Sequence, residues 1–457
     1  MSLQHSCSFH VIRINLEKIA MVSLGCPKNR VDSEVILGLL GDKGYELTEN
    51  PASAEIIIIN TCTFIQKATE ESVNAILEYA SYKESGICRL LVVAGCLTQR
   101  YQEELKEELP EVDLFVGTGE YQRITDLVVE TKKGETVVAT GIPEYIHDHT
   151  TPRISTTPFY SSYIKIAEGC SNPCTFCIIP RLRGDFRSRN EASIVEEIKN
   201  FASNGVKEFN LVAQDTTAYG RDLPESTTLK NLLEKITAID TVNWVRLLYC
   251  YPTLLNEELV NFIAKEEKIV KYIDLPLQHI DDKVLKGMKR GTREKMIRDL
   301  VARLRSTIPD VTLRSAFIVG FPGEGQKEFE NLLSFIEETR FDHLGVFTYS
   351  QEEGTIAGSM PDQVDEEVKE ERYNRIMELQ QRISLEKNRE HVGKKTKVLI
   401  EGLSEETDLL LQGRAAFQAP EIDGITYINE GTASTGEMRE VLITEAHPYD
   451  LVGKIID

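Results

Sequence analysis

Apolar and polar positions fall into three regimes along the chain. Up to residue 140, short apolar runs at Ile19–Leu24, Glu55–Asn60, Leu90–Ala94 and Leu114–Val116 alternate with helix-period stretches such as Asp32–Lys43 and Thr69–Tyr82. Strand-length apolar runs separated by helical segments predict a parallel sheet with helices on its faces. The polar, proline-punctuated stretch 141–158 reads as a linker, with His147 and His149 exposed in it. Six strand-like runs follow, at Tyr163–Ala167, Glu208–Gln214, Trp244–Tyr249, Lys271–Leu277, Leu313–Gly320 and Leu344–Tyr349. Helices are predicted between them at Ser193–Ser203, Leu229–Ile239, Glu257–Ala264, Glu294–Ser306 and Lys327–Glu338. Six β/α units predict an open, incomplete relative of the eight-unit barrel. A helix at Glu366–Lys387 carries one packing stripe, Val368, Ile376, Leu379 and Ile383. The last segment alternates in short strands with glycine turns, as in a small antiparallel β-barrel. The fold class is therefore α/β with a terminal barrel, and the expected domains are 17–140, 159–388 and 389–457, with the linker 141–158 between the first two.

Composition narrows the class. A chain of 457 residues with 41% hydrophobic and 27% charged positions is that of a soluble globular protein of several domains. No run approaches the ~18–20 apolar residues of a membrane helix. The first 16 residues, with Cys7, His10 and Arg13, hold no long apolar stretch, so they read as a loose start without a leader and the expected location is cytoplasmic. The net charge of −21 repels nucleic acid at long range, unless a basic patch is segregated on one face, and attracts a basic protein. Residues 396–457 hold twelve acidic positions against four basic ones, Lys397, Arg414, Arg439 and Lys454.

Nine cysteines in such a chain point to metal binding or catalysis rather than disulfides. Cys170, Cys174 and Cys177 stand as C-S-N-P-C-T-F-C after the first strand of the second domain, on the face where barrel enzymes place their chemistry. Three thiolates in one short loop can hold three corners of an iron–sulfur cube and leave the fourth iron open. Because a 4Fe–4S cluster normally takes four cysteines, a set of three points to reactive chemistry. The alternative, structural zinc, usually shows two knuckles and four ligands; no second knuckle follows here. Cys26, Cys62 and Cys96 each end an apolar run of the first domain. A parallel sheet brings the carboxyl ends of its strands to one edge, so these three converge as a second three-thiolate site. Taken singly, each is an ordinary small buried side chain. Cys7, Cys88 and Cys250 read as incidental.

The CxxxCxxC spacing, with Phe176 inside it, resembles the signature of radical S-adenosylmethionine (SAM) enzymes. The order of three early cysteines, such a barrel and a small β-domain resembles the methylthiotransferase family. Carrying this are S-L-G-C-P-K-N-R-V-D-S-E at Ser23–Glu34, I-P-R-L-R-G-D-F-R-S-R at Ile179–Arg189, V-L-K-G-M-K-R at Val284–Arg290, F-I-V-G-F-P-G-E at Phe317–Glu324 and F-T-Y-S-Q-E-E-G-T at Phe347–Thr355. The last segment resembles a TRAM domain. G-C-P-K-N resembles the branch that modifies a ribosomal protein; the tRNA branch usually has a G-C-Q-M-N-like segment.

The resemblance implies two 4Fe–4S clusters and SAM. The cluster on Cys170, Cys174 and Cys177 would reduce SAM by one electron, and the resulting 5′-deoxyadenosyl radical would take hydrogen from the substrate carbon. The cluster on Cys26, Cys62 and Cys96 would hold the sulfur to be delivered, methylated by another SAM. The implied reaction is methylthiolation of the β-carbon of an aspartate in small-subunit ribosomal protein twelve, a basic protein, with external electron and sulfur donors. SAM needs a pocket, and Gly320, Phe321 and Gly323 end the fifth strand, where small residues permit close approach or merely make the turn. Gln214, Asp215 and Gln278 end the second and fourth strands, as SAM partners or as satisfied loop polars. Arg181, Arg183, Arg187 and Arg189 are either a carboxylate-binding run or a salt-bridged loop. Gly325 and Ala316 depart from the family's usual threonine and polar residue, which touches only the detail of the pocket. Two other readings stay open: a tRNA adenosine methylthiotransferase, which would need a basic face, and a two-cluster electron carrier, which would need four ligands per cluster. The acidic last domain favours a basic protein partner and argues against strong nucleic-acid binding.

Overall fold

The computed structural model describes residues 17–132, 134–224 and 227–456. Cys7 and the reading of residues 1–16 as a loose start lie outside the described residues.

The first sheet is built from β1 (Lys18–Ser23), β2 (Glu46–Leu47), β3 (Ile56–Thr61), β4 (Leu90–Gly95), β5 (Leu114–Val116) and β6 (Val137–Ala139), in the order β2-β1-β3-β4-β5-β6. Every pair in it is parallel. The runs I-I-I-I-N-T and L-L-V-V-A-G of β3 and β4 are buried at every position, as strands covered on both faces must be. Ile56 and Ile58 enter one core with Ile36 and Val92, while Ile57 and Ile59 enter the other with Leu91, Val93 and Leu97. The edge strands β2 and β6 escaped the hydrophobic pattern because they are two and three residues long.

The second sheet holds β7 (Ser161–Lys165), β8 (Glu208–Val212), β9 (Trp244–Leu247), β10 (Ile269–Gln278), β11 (Thr312–Val319) and β12 (His343–Thr348). They pair in chain order, all parallel, and remain an open sheet. Helices Glu191–Ser203, Leu229–Thr237, Glu257–Lys265, Glu294–Thr307 and Gln326–Thr339 cover it around one continuous core. The helix Glu366–Arg389 adds Ile376, Leu379 and Ile383 to that core, with Val368 only half-buried. The last five strands, β13 (Lys395–Leu403), β14 (Leu411–Ala415), β15 (Thr426–Glu430), β16 (Met438–Ala446) and β17 (Leu451–Ile455), close a barrel in the order β13-β14-β15-β17-β16. The pair β15–β17 is parallel and the other four are antiparallel.

The segment 141–158 is not a free linker. Arg153 donates from Nε and Nη2 to Oε2 of Glu34 at 2.8 and 2.6 Å and from Nη1 to Oε1 of Glu197 at 2.7 Å. Oε1 of Glu34 accepts from Thr156 N and Oγ1. The expectation of two exposed histidines holds for His149 alone: His147 is 4% exposed, packed among the charges of Arg189, Lys165 and Arg153. Buried Glu34 and Glu197 need cations, and the segment's own arginine supplies one. The barrel docks on the second sheet in the same way. Glu208, fully buried, accepts from Arg414 Nη2 at 2.6 Å, Arg246 Nη2 at 3.1 Å and Ser161 Oγ at 2.9 Å.

These burials give a pH dependence. Burial, with the charges of Arg189, Lys165 and Arg153, holds His147 well below the ordinary histidine value of 6.5. Burial raises the Glu208 carboxyl, but Arg414 and Arg246 outweigh it and bring it from 4.5 down to about 2. In both cases the folded chain binds fewer protons than the unfolded one, so stability falls as pH falls. The His147 contribution is complete above 6.5 and is lost on acidification below it; that of Glu208 is complete above 4.5 and is lost down to about 2. At ~1.4 kcal/mol per unit, Glu208 contributes on the order of 3 kcal/mol. Urea unfolding across this range checks it, and Glu208→Gln should lower stability at neutral pH and flatten the acid limb.

Candidate active site

Cys26, Cys62 and Cys96 follow the carboxyl ends of β1, β3 and β4, and the loop with Cys170, Cys174 and Cys177 follows β7. The short helix Ile179–Arg183 runs on from that loop, and Ile178 and Leu182 pack against Cys96. The two cysteine sets therefore face a common seam between the sheets.

Backbone chemistry explains the G-C pairs of the first domain. Gly25 has φ +87°, and a Cβ there would stand 2.6 Å from Cys62 Cβ. Gly95 has φ +103°, and a Cβ there would stand 2.4 Å from Asn60 Oδ1. Neither conformation suits a side chain, and neither strand end could approach its neighbour with one. Asn29 ties the ends together, donating from Nδ2 to Leu24 O at 3.0 Å and Thr61 O at 2.8 Å. Burial pushes the Cys62 thiol up to about 12, and the sulfurs of Cys96 and Cys26 push the same way, as three convergent thiols do. Cys26 differs. Burial would raise it too, but the charges of Lys28 and Arg183 and the N–H groups of Asn29 and Lys28 hold it below the ordinary value.

In the second set each sulfur has its own donor. Asn172 Nδ2 stands 3.4 Å from Cys170 Sγ, Arg290 Nη1 3.6 Å from Cys174 Sγ and Ile179 N 3.5 Å from Cys177 Sγ. Burial, and then the neighbouring Cys174 and Cys170, push Cys177 up to about 12. Donors aimed at every sulfur suit thiolates that ligate iron, whose potential such bonds tune. Three thiols with a donor at each sulfur are a set whose chemistry fits the corners of an iron–sulfur cube.

The other expected residues divide. Phe176 and Phe321 join one apolar cluster with Val284, Met288 and Tyr349 beside the cysteine loop. Asp215 caps the turn 216–218, accepting from Ala218 N at 3.2 Å, and also holds Asn172 at 2.9 Å, so it supports Cys170 indirectly. Gln214 donates to Glu168 Oε1 at 2.5 Å, while its own Oε1 is buried without a partner. Gln278 ends β10 in a left-handed conformation, φ +72°. Gly323 has open space where a Cβ would stand, but the same space at Gly320 is filled by the Lys369 stem, 2.2 Å away. Of the arginine run, Arg181 is exposed, Arg187 is half-buried, and Arg183 and Arg189 are buried in ion pairs.

Sequence reading missed Asp32, Lys165 and Glu168. They form with Arg183 a closed, neutral quartet. Lys165 Nζ bonds Asp32 Oδ1 and lies 2.6 Å from Glu168 Oε2; Arg183 Nη1 lies 2.5 Å from Asp32 Oδ2 and 3.3 Å from Glu168 Oε2. Arg183 Nη2 bonds Asn29 Oδ1 and reaches Cys96 Sγ at 3.5 Å. The available signal was a lysine inside the apolar run Y-I-K-I-A. Across the seam, Arg100 Nη1 bonds Glu352 Oε2 at 2.7 Å, joining the first domain to the loop after β12.

Residues 18–117 match the family described as Uncharacterized protein family UPF0004, residues 164–336 the Radical SAM superfamily and residues 392–456 the TRAM domain. The chain is 52% identical to the ribosomal protein uS12 methylthiotransferase RimO of Syntrophotalea carbinolica, over 97% of this chain and 98% of that protein. It is also 52% identical to the RimO of Geobacter sulfurreducens, over 96% and 99%. Among solved structures, the radical SAM methyltransferase TsrM of Kitasatospora setae superposes with a TM-score of 0.55 at 16% identity, over 72% of each chain. The cobalamin-dependent SAM radical enzyme OxsB does so at 0.52 and 14%, over 80% of this chain and 56% of that one. These two likenesses show the fold.

Replacing one member of the quartet leaves a buried charge unanswered. Arg183→Met should cost about 3–5 kcal/mol. Adding Asp32→Asn restores neutrality, so the double variant should be more stable than the sum of the single losses. Denaturant midpoints of the three variants test the coupling.

Proposed function

The chain belongs to the ribosomal protein uS12 methylthiotransferase family of radical SAM enzymes, and from that premise we propose that it attaches a methylthio group to the β-carbon of an aspartate in uS12, small-subunit protein twelve. The observation that carries the reading is the pair of three-cysteine sets facing one seam, joined by the Arg183 quartet. A 4Fe–4S cluster with SAM supplies the one-electron chemistry that opens an unactivated C–H bond, which side-chain acids and bases cannot do. Cys170, Cys174 and Cys177 would hold one cluster, and Cys26, Cys62 and Cys96 a second. The protein's own work is placement. Asn172 and Arg290 fix the sulfurs of Cys170 and Cys174, and Asp215 fixes Asn172. Phe176, Phe321, Gln214, Gln278 and Gly323 are assigned to the SAM pocket at the same strand ends, with Asp215 and Gly320 as its supports.

Charge supports a protein partner. Of the barrel's five basic residues, Lys395, Lys397, Arg414, Arg439 and Lys454, Arg414 is turned inward onto Glu208 and Glu401, and Lys454 stands by Glu430. An acidic outer face suits a basic ribosomal protein and repels phosphate. Such a substrate places the enzyme in the cytoplasm, dependent on external electron and sulfur donors. No helix among the described residues is long and apolar enough to cross a membrane.

Expression in cells lacking their own enzyme should add a methylthio mass to one aspartate of uS12, read by mass spectrometry. Cys170→Ala should abolish the mark and SAM cleavage together, whereas Cys62→Ala should abolish the mark and leave SAM cleavage. Unmarked uS12 beside a newly methylthiolated tRNA nucleoside would overturn the assignment.

A further inference from the structure

Lys28 carries a buried charge that no carboxylate answers; its neighbours are Tyr249 and the thiol of Cys26. It is 8% exposed, at the start of the helix Pro27–Asp42 and two residues from Cys26. Its Nζ stands 3.2 Å above the centroid of the Tyr249 ring, and no carboxylate among the described residues pairs with it. The cations around it are placed otherwise. Lys165 and Arg183 are neutralised by Asp32 and Glu168, and Arg100 by Glu352. Arg290 is turned to Pro276 O and Cys174 Sγ and stacks on Tyr251. A buried ammonium without a carboxylate is costly, and a ring face and a neighbouring thiol return only part of that cost. Tyr249 is itself held in a left-handed conformation, φ +62°, at the end of β9, with its N–H on Asp274. Such a conformation in an aromatic residue persists where the surroundings impose it. Here it puts the ring under the ammonium.

We infer that Lys28 binds the side-chain carboxylate of the substrate aspartate. This rests on the reaction proposed above. The β-carbon that receives sulfur is bonded directly to the carboxylate carbon, so the carboxylate arrives beside whatever site hands the sulfur over. In the proposed scheme that site is the set Cys26, Cys62 and Cys96, and Lys28 is the cation there with no carboxylate partner. The pair would be neutral, and it would fix which hydrogen of the β-carbon faces the seam. An asparagine or a nucleobase would offer the ammonium no carboxylate, which makes Lys28 a specificity residue.

The test measures equilibrium binding of purified uS12, and of uS12 with its target aspartate changed to asparagine, to the full chain with reconstituted clusters. The native chain should prefer the aspartate form by about tenfold or more. Lys28→Met should bind both forms within about twofold, and Lys28→Arg should keep most of the preference. Iron content and the paramagnetic signals of both clusters should be unchanged in the variants. An aspartate preference that survives Lys28→Met overturns the inference. So does loss of iron from the second set with the preference intact, which would give Lys28 to the cluster instead. A native chain that marks uS12 in cells without preferring aspartate overturns it and leaves the reaction standing. A chain that marks tRNA fails the reaction, and the inference with it.

Discussion

Two cations and two carboxylates buried at the seam between the sheets have to cancel, and much of the site's geometry follows from that. Asp32 comes from the helix after Cys26, Lys165 from β7, Glu168 from the short segment between β7 and Cys170, and Arg183 from the helix after Cys177. None is more than 5% exposed. Moving any one segment uncovers a charge in a medium that solvates it poorly, at several kcal/mol. Apolar side chains of the same volume would hold the segments together as firmly. They would not fix the register, because hydrophobic contact is non-directional. Through Nη2, Arg183 extends that register to Asn29 and to Cys96 Sγ, so the geometry of one cysteine set is set partly from the loop that bears the other.

The same device recurs wherever two units meet. Glu34 and Glu197 receive Arg153 at the docked connection, Glu208 receives Arg414 and Arg246 at the barrel, and Glu352 receives Arg100 across the seam. Apolar contacts run between the units as well, in the cluster that joins Val31, Trp244 and Leu399.

How much of this could be read from the sequence depended on how local the signal was. The strands of both sheets were legible because covered parallel strands are unbroken apolar runs; Cys26, Cys62 and Cys96 drew notice because strand ends share one edge, and Cys170, Cys174 and Cys177 by their spacing. β2 was not, since Glu46–Leu47 is a strand only by virtue of β1. His147 was placed outside because its neighbours in sequence are polar, yet its surroundings come from β7 and Arg189, Arg153 and Glu197. Gly320 looked like an opening for a ligand and is instead where Lys369, 49 positions on, lays its stem. The quartet was invisible for the same reason: its four residues come from separate elements, and only Lys165 broke a local pattern.

Three of the six cysteines follow a glycine in a left-handed conformation: Gly25 at φ +87°, Gly95 at φ +103° and Gly169 at φ +77°. At Gly169 a Cβ would stand 2.2 Å from Asp185 O, so this turn too excludes a side chain. The backbone turns thus help to set where the thiols stand. Free thiols would gain nothing from such convergence, since Cys62 and Cys177 are pushed up to about 12 by burial and by their neighbouring sulfurs. What stabilises the arrangement is therefore external to the sulfurs: the glycine turns, Asn29, the N–H donors and the quartet. If these thiols take up iron as proposed, the glycine turns would already have met part of the entropic cost of bringing the ligands together.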